Sequence, residues 1–435
     1  MNNLSLFGKR FPLLTHEAFA YWAYVLGVAM TAFGPVIHYL GWVLALICLA
    51  YGRIRYNAPL SIKLKPESRK IICFLLFFLL WSMFAHFPYV DSFYTWGKGA
   101  SIPLEFMTGL YLAMRLIDTS EKRKVFGLAV VAVNLIFCFD VMFRPYFFIL
   151  GWNSSLDNGN AVALYSLLTM PFFFCYAFWF FEKNIAIKYI LCITSLLFII
   201  FSFSSGGWIS AFVQIIIFMF YAAASKKLKI RSVVILIAAS ILAFSILISA
   251  FDNGPSVSFK RELEQMMSFN DFDALTNNRT DTWKASIFMA KIHPFMGSGW
   301  ATFGKVFSEQ RNNMEGILHQ KWLDPIIHPH SMYLSILYSS GFPALLFFMI
   351  AFVLSMKKSW SGLKYDAINS GDVPWFLICF ILMVSMAIYG TNGDVFEARR
   401  DVSVFFWACW GLLLVMPGSD QNSDKGDKSE DPALC

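Results

Sequence analysis

The stretch "IIHPHSMYLSILYSSGFPALLFFMIAF", Ile326–Phe352, places two histidines and a proline directly ahead of a run that is almost wholly apolar. From Met332 onward that run has about the 20 residues a helix needs to cross a bilayer core. His328 and His330 therefore stand where polar loop gives way to apolar span. Their surroundings decide whether they meet water, lipid or a substrate.

Those surroundings are apolar along most of the chain. Of 435 residues, 57% are hydrophobic, 18% aromatic and 14% charged, and the mean hydropathy is +0.57. An ordinary soluble domain carries about 25% charged residues. The net charge of +7 is not the footprint of a nucleic-acid partner, because the basic residues cluster at the ends of apolar runs, as topology signals do. Seven of the eight cysteines fall inside apolar runs and Cys435 is the last residue, with no C-x-x-C pair. Neither a disulfide framework nor a thiolate metal site follows.

The fold class expected is all-α: a polytopic membrane protein with about twelve transmembrane helices. The spans are placed at roughly 17–35, 37–52, 70–88, 101–117, 124–143, 160–181, 187–204, 206–224, 231–251, 331–355, 373–391 and 402–416. The first run follows Lys9 and Arg10 and leads straight into another, so it reads as a retained span rather than a cleaved signal. With both termini cytoplasmic, short inside segments hold 21 Lys and Arg against four in short outside loops, which fixes the orientation. Four parts follow: an N-terminal bundle of about nine spans (1–251), a large external loop (252–329), the C-terminal helices (330–416) and a tail (417–435). The tail is polar, acidic and aperiodic, the composition of disorder.

A loop as long as 252–329 within a compact membrane protein usually carries function. "KRELEQMMSF" (260–269) reads as a short helix. "TDTWKASIFMAKI" (280–292) reads as another, with Trp283, Ile287 and Ala290 on one face. Thr280 and Asp281 suit its start, and His293-Pro294 its end. Arg279 just ahead of it reads either as a solvated charge or as a phosphate ligand, since a guanidinium fork matches phosphate oxygens. Asp271-x-Asp273 has the spacing of some metal-holding transferase motifs but is common by chance. His328-Pro329-His330, with His293 and His319 in the same loop, lacks the carboxylates or cysteines that complete a metal site. His330 alone could simply cap a helix at the interface. In the last external loop Asp394, Glu397, Arg399 and Arg400 read by default as a self-paired surface cluster, or else as the lining of a polar site.

"HSMYLSILYSSG" has His330, a small polar residue at 331, nine further residues and Gly341. This resembles the signature of bacterial O-antigen ligases, part of a membrane superfamily that also holds O-antigen polymerases and protein O-oligosaccharyltransferases. "RTDTWKASIFMAKIHPFMGSGWATFG" is similar to the same family's arginine, tryptophan, helix and Pro-x-x-Gly-x-Gly turn, here Arg279, Trp283, Pro294, Gly297 and Gly299. Ala344 stands where the family's second glycine would be. Ser205, in "FSFSSGGWISAF", stands where it commonly has an arginine, so one expected phosphate-binding charge is missing.

The resemblance implies metal-independent, inverting glycosyl transfer with no cofactor, at the periplasmic face of a bacterial inner membrane. The donor would be an O-antigen on undecaprenyl diphosphate and the acceptor a sugar hydroxyl of lipid A-core, both held among membrane lipids. His330 would be the general base and Arg279 the diphosphate ligand. Arg399, Arg400, Asp394, His328, Ser205 and Trp283 are the supporting candidates. An O-antigen polymerase is the nearest alternative. A polysaccharide flippase is a further one, to which the intramembrane Asp140 would belong.

Overall fold

The computed structural model describes residues 15–62, 64–84, 87, 92–143, 159–202, 204–229, 231, 238, 242, 264, 276, 279–318, 326–368 and 372–417. Regular structure among them is entirely helical. Eight α-helices come first: α1 (His16–Ala29), α2 (Pro35–Tyr56), α3 (Pro66–Phe84), α4 (Phe93–Leu116), α5 (Ser120–Phe143), α6 (Gly159–Cys175), α7 (Ile185–Ile200) and α8 (Ser205–Ala224). Two short helices follow, α9 (Thr280–Ala290) and α10 (Phe303–Gln310), then α11 (Met332–Ile368), α12 (Trp375–Asn392) and α13 (Arg400–Val415).

Local chemistry starts several of these where they start. The hydroxyls of Thr15 and Ser92 accept from Ala18 and Thr95 N–H at 3.2 Å, and the Asn184 side chain accepts from Ile187 N–H at 3.1 Å. Each supplies a partner that the first turn of a helix lacks.

Among the described residues, five helices are long and apolar enough to cross a bilayer: Val36–Tyr56, Gly159–Phe180, Ser205–Ala224, Met332–Ala367 and Trp375–Asn392. The expected count of twelve is not established. The span at 231–251, apart from residues 231, 238 and 242, lies outside the described residues. So do the 260–269 helix other than Glu264, Asp271, Asp273, His319, the side chain of Asp140 and the tail after Pro417. Helix α11 also runs on to Ile368, well past the expected 355. Past its break at Gly341 it runs on for 27 residues, about 40 Å at 1.5 Å per residue, beyond a hydrocarbon core of about 30 Å.

Burial sorts the helices. Every residue of α6 from Ala161 to Cys175 is buried, as is every residue of α13 from Val402 to Leu414, so these two form the centre and need no polar stripe. Around them the outer helices leave large apolar side chains uncovered, among them Ile54, Phe212, Phe220 and Val353. Apolar exposure on that scale is a lipid-facing pattern rather than that of a soluble surface.

The two ends of the bundle differ. At one end the basic residues gather: Arg115 pairs with Glu17 and Lys124 with Asp372. Lys358, buried there, donates to Ser68 Oγ and to the Leu414 and Met416 carbonyls. The opposite end carries the histidines.

One break shapes that opposite end. Within α11, Gly341 has φ 78° and ψ 177°, and Pro343 follows it. The break strips Tyr338, Ser339 and Ser340 of ordinary in-helix carbonyl partners, since the chain bends away and proline has no N–H. Other donors replace them: Ser298 N–H reaches the Tyr338 carbonyl at 2.8 Å and Gly299 N–H the Ser339 carbonyl at 2.9 Å. Trp81 Nε1 reaches the Ser340 carbonyl at 3.0 Å. In return Phe342 N–H donates to the Pro294 carbonyl at 2.7 Å. The Pro294–Gly299 turn is thus docked backbone to backbone on the break. A Cβ at Gly341 would strike the Phe295 carbonyl, and one at Gly297 the Ser339 carbonyl. Ala344, by contrast, is fully buried and fits.

Helix α9 packs only partly as expected. Ala290 is buried, but Ile287 is exposed and Trp283 half-buried, and the buried face runs through Asp281, Thr282, Ala285, Ser286 and Met289. The helix rests on α10 and α11 through a small core of Ala285, Met289, Phe303, Phe307 and Tyr338, and those protein contacts choose the face. Gly341→Ala and Gly297→Ala should each cost at least about 1–2 kcal/mol, the penalty of left-handed backbone for a residue with a Cβ. Limited proteolysis should then cut within 279–318 faster than in wild type, while Ala344→Gly leaves the cleavage pattern unchanged.

Candidate functional site

Three separated segments meet at the histidine end: the start of α9, the approach to α11, and the chain from the end of α12 to the start of α13. Arg279, buried just ahead of α9, donates through Nη1 to the Asn392 side-chain oxygen at 2.7 Å and to the Asn392 backbone carbonyl. Asn392 ends α12, so this contact ties the loop to the bundle. The start of α8 is adjacent: the space where a Cβ of Gly206 would stand is 3.3 Å from Asn392 Nδ2. Ser205 therefore falls in the same neighbourhood. Ser204 caps α8 and donates to Asn160 Oδ1 at 3.2 Å, and Tyr389 donates to the Asn160 carbonyl at 2.9 Å.

His330 lies just ahead of α11 and does not cap it. Ser331 caps that helix, its hydroxyl accepting from Leu334 N–H at 3.5 Å and its carbonyl from Ser335 N–H at 2.8 Å. His330 precedes the cap with φ 51°, a left-handed backbone that is uncommon outside glycine and worth a functional look. Its carbonyl accepts from the indole N–H of Trp283 at 3.5 Å, which gives that tryptophan a positioning contact. Among the described residues neither imidazole nitrogen of His330 has a hydrogen-bond partner. Burial, then Arg279, His328 and Arg399, lower the imidazole pKa to about 4. The ring is therefore a free base at neutral pH.

His328 lies on the extended segment ahead of Pro329, as the proline demands, but its ring is held rather than free. Its Nδ1 is 3.9 Å from Asp394 Oδ2, too far for a hydrogen bond but close enough for charge to matter. Burial lowers the His328 pKa, with Asp394 opposing and Arg399 assisting. Burial raises that of Asp394, whose other oxygen accepts from Glu397 N–H at 3.1 Å. Glu397 is raised too, by burial and by Asp394.

The expected self-paired cluster is absent here: the two acids turn inward and the two arginines part. Among the described residues Arg399 Nη1 donates to the neighbouring Ala398 carbonyl at 3.0 Å, and its charge is felt at His330, His328 and Tyr389. Arg400 turns to α4, with Nε 3.7 Å from Glu105 Oε2 and Nη1 3.5 Å from Ser101 Oγ. No group of three or more His, Cys, Asp or Glu able to hold a metal ion gathers among the described residues. Sequence reasoning gives no reason to choose Asn392. Glu105 did leave a signal, an acid inside an expected span.

The fold and site define a helical protein with bilayer-length apolar helices and a polar, arginine-flanked histidine under a docked loop. Residues 190–349 match the family model described as O-antigen ligase. That stretch holds Ser205, Arg279, Trp283, both histidines and Gly341, while Asn392, Asp394 and Arg399 lie beyond it. No curated protein matches the chain.

The unfolded chain, with histidine near about 6.5, takes up a proton before the folded His330 does. The stability from burying a neutral ring is thus present above about pH 6.5 and is lost as pH falls towards about 4. The acid limb of activity should likewise lie well below 6.5. Arg399→Gln removes one positive neighbour, so the limb should move to higher pH in a pH–rate profile.

Proposed function

We propose that the protein is an O-antigen ligase of the bacterial inner membrane, with about twelve spans and the histidine end facing the periplasm. It transfers a glycan from undecaprenyl diphosphate to a sugar hydroxyl of lipid A-core. The observation that carries this reading is the imidazole of His330, kept neutral by burial and by the charges of Arg279, His328 and Arg399. A base beside two guanidinium groups suits a reaction that deprotonates a hydroxyl while an anionic diphosphate departs.

In this scheme the acceptor oxygen attacks the anomeric carbon of the donor sugar as its proton passes to a ring nitrogen of His330. The bond from that carbon to the diphosphate breaks with inversion, and the electron pair leaves on undecaprenyl diphosphate. Arg279 and Arg399 take the growing negative charge on the phosphate oxygens. They supply the positive charge that a divalent ion supplies in other transferases, and the scheme requires no cofactor. A diphosphate there would also offset the two charges that depress His330, so the donor would make the base stronger as it arrives. Trp283 and Asp394 act by holding the two histidine segments.

His330→Asn is the informative variant, because asparagine tolerates left-handed backbone yet offers no basic nitrogen. It should insert and melt like wild type while transfer by purified protein, with and without chelator, falls about 100- to 10,000-fold. His328→Ala should keep substantial activity. Arg279→Ala should nearly abolish transfer and Arg279→Lys restore it only in part, lysine lacking the fork. Wild-type turnover in His330→Asn would remove the base assignment, and loss to chelator would show that a metal takes part. A deletion strain should make core-only lipopolysaccharide and accumulate long lipid-linked glycan. Lipopolysaccharide bearing a single repeat would mean a polymerase, and lipid-linked repeats trapped on the cytoplasmic leaflet a flippase.

A further inference from the structure

Beside this site lies a second buried polar group that the scheme leaves unused. His38 on α2 is fully buried and Glu105 on α4 nearly so. His38 Nε2 is 3.8 Å from Glu105 Oε1, and Arg400 Nε is 3.7 Å from Glu105 Oε2. These are ion-pair distances without a hydrogen bond. Among the described residues, both His38 nitrogens and both Glu105 oxygens lack hydrogen-bond partners. Burying a carboxylate is costly unless a charge answers it, and the basic residue answering Glu105 here comes from the first turn of α13.

We propose that Glu105, backed by His38, is a positioning residue that holds Arg400 against α4 and so turns Arg399 towards the donor diphosphate. This rests on the reading of Arg399 given above. The geometry is that of a helix start. Arg399 is the N-cap of α13, with non-helical φ −132° and ψ 36°, and Arg400 is its first helical residue, so the two side chains leave the chain in different directions. Once Arg400 is drawn towards Glu105, Arg399 leaves the helix on a different side, where its charge reaches His328, His330 and Tyr389. The neighbouring residue on α4 fixes the body of the same helix: Phe106 stacks on Trp407 at 4.8 Å between ring centroids and 17° between planes. Two adjacent residues of α4 therefore set where α13 lies and how its first turn is rotated. Ser403, whose N–H and hydroxyl reach the Arg399 and Arg400 carbonyls at 2.9 and 2.7 Å, stiffens that turn.

The test is a double-mutant cycle on the full-length protein in detergent, read as the dissociation constant of undecaprenyl diphosphate alone. Arg399→Ala should weaken binding about tenfold, the scale of a charge-assisted contact, and Glu105→Gln should do nearly the same with an unchanged melting midpoint. Because both act through one guanidinium, the double variant should be no weaker than about twofold beyond either single one. Glu105→Asp should fall between wild type and Glu105→Gln. Glu105→Gln combined with Arg279→Lys should instead multiply, since Arg279 is held by Asn392. If Glu105→Gln does not fold, Arg400→Gln probes the same pair from the other side and should show the same coupling to Arg399. Independent effects of Glu105→Gln and Arg399→Ala, or equal coupling of Glu105→Gln to Arg279→Lys, would overturn the inference while leaving the ligase reading intact. No loss in Arg399→Ala, or no binding by wild type, would fail the reading itself and take this inference with it.

Discussion

The backbone hydrogen bonds across the break at Gly341 hold the rest of the site in register. An interrupted helix in apolar surroundings leaves carbonyls that neither water nor lipid satisfies. Here the N–H groups of Ser298 and Gly299 and the indole of Trp81 fill that need. The same bonds dock the Pro294–Gly299 turn. From that dock α9 runs back to Arg279, which Asn392 holds at its other end, while the first part of α11 runs back to His330. One defect in one helix thus sets the separation of the proposed base and the proposed phosphate ligand.

The electrostatics follow from that arrangement. Burial most of all, then Arg279, His328 and Arg399, disfavour a proton on His330. In ordinary acid–base terms this makes the ring a weak base that is always ready. An occupant carrying negative charge between the guanidinium groups would change the balance at once, because such charges interact strongly where water is scarce. Asp394 lies against His328 and accepts from the Glu397 N–H, and so braces the segment that leads to Arg399.

Much of this was legible in the sequence, and the misses have physical causes. Apolar runs marked the helices through α8 and from α11 onward because burial in lipid or protein demands the same side chains. Arg279, His330 and the glycine turn stood out through their resemblance to a family signature. The helix break did not, since Gly341 and Pro343 sit in a run apolar enough to read as continuous. The face of α9 was partly misjudged because it packs on α10 and α11, and periodicity cannot tell one apolar neighbour from another. The sign of φ at His330 leaves no trace in residue type. The parting of Arg399 and Arg400 depends on Glu105, far away in the chain, and adjacent arginines look equivalent until a partner is seen.

Ser205 gives the last of these points its meaning. Ser205 stands where the resemblance led one to expect an arginine, and the start of α8 lies beside Asn392, at the end of α12. The chain running on from Asn392 leads to Arg399, whose charge is felt together with that of Arg279 at His330 and Tyr389. A phosphate responds to where positive charge is, at a few ångströms, and not to which helix carries it. The requirement then moves from the residue to its support. An arginine on α8 would be aimed by its own helix, whereas Arg399 at the mouth of α13 needs something to fix the rotation of that helix. A buried carboxylate on α4 is an expensive device for the purpose, and its cost makes sense only if the direction of Arg399 matters.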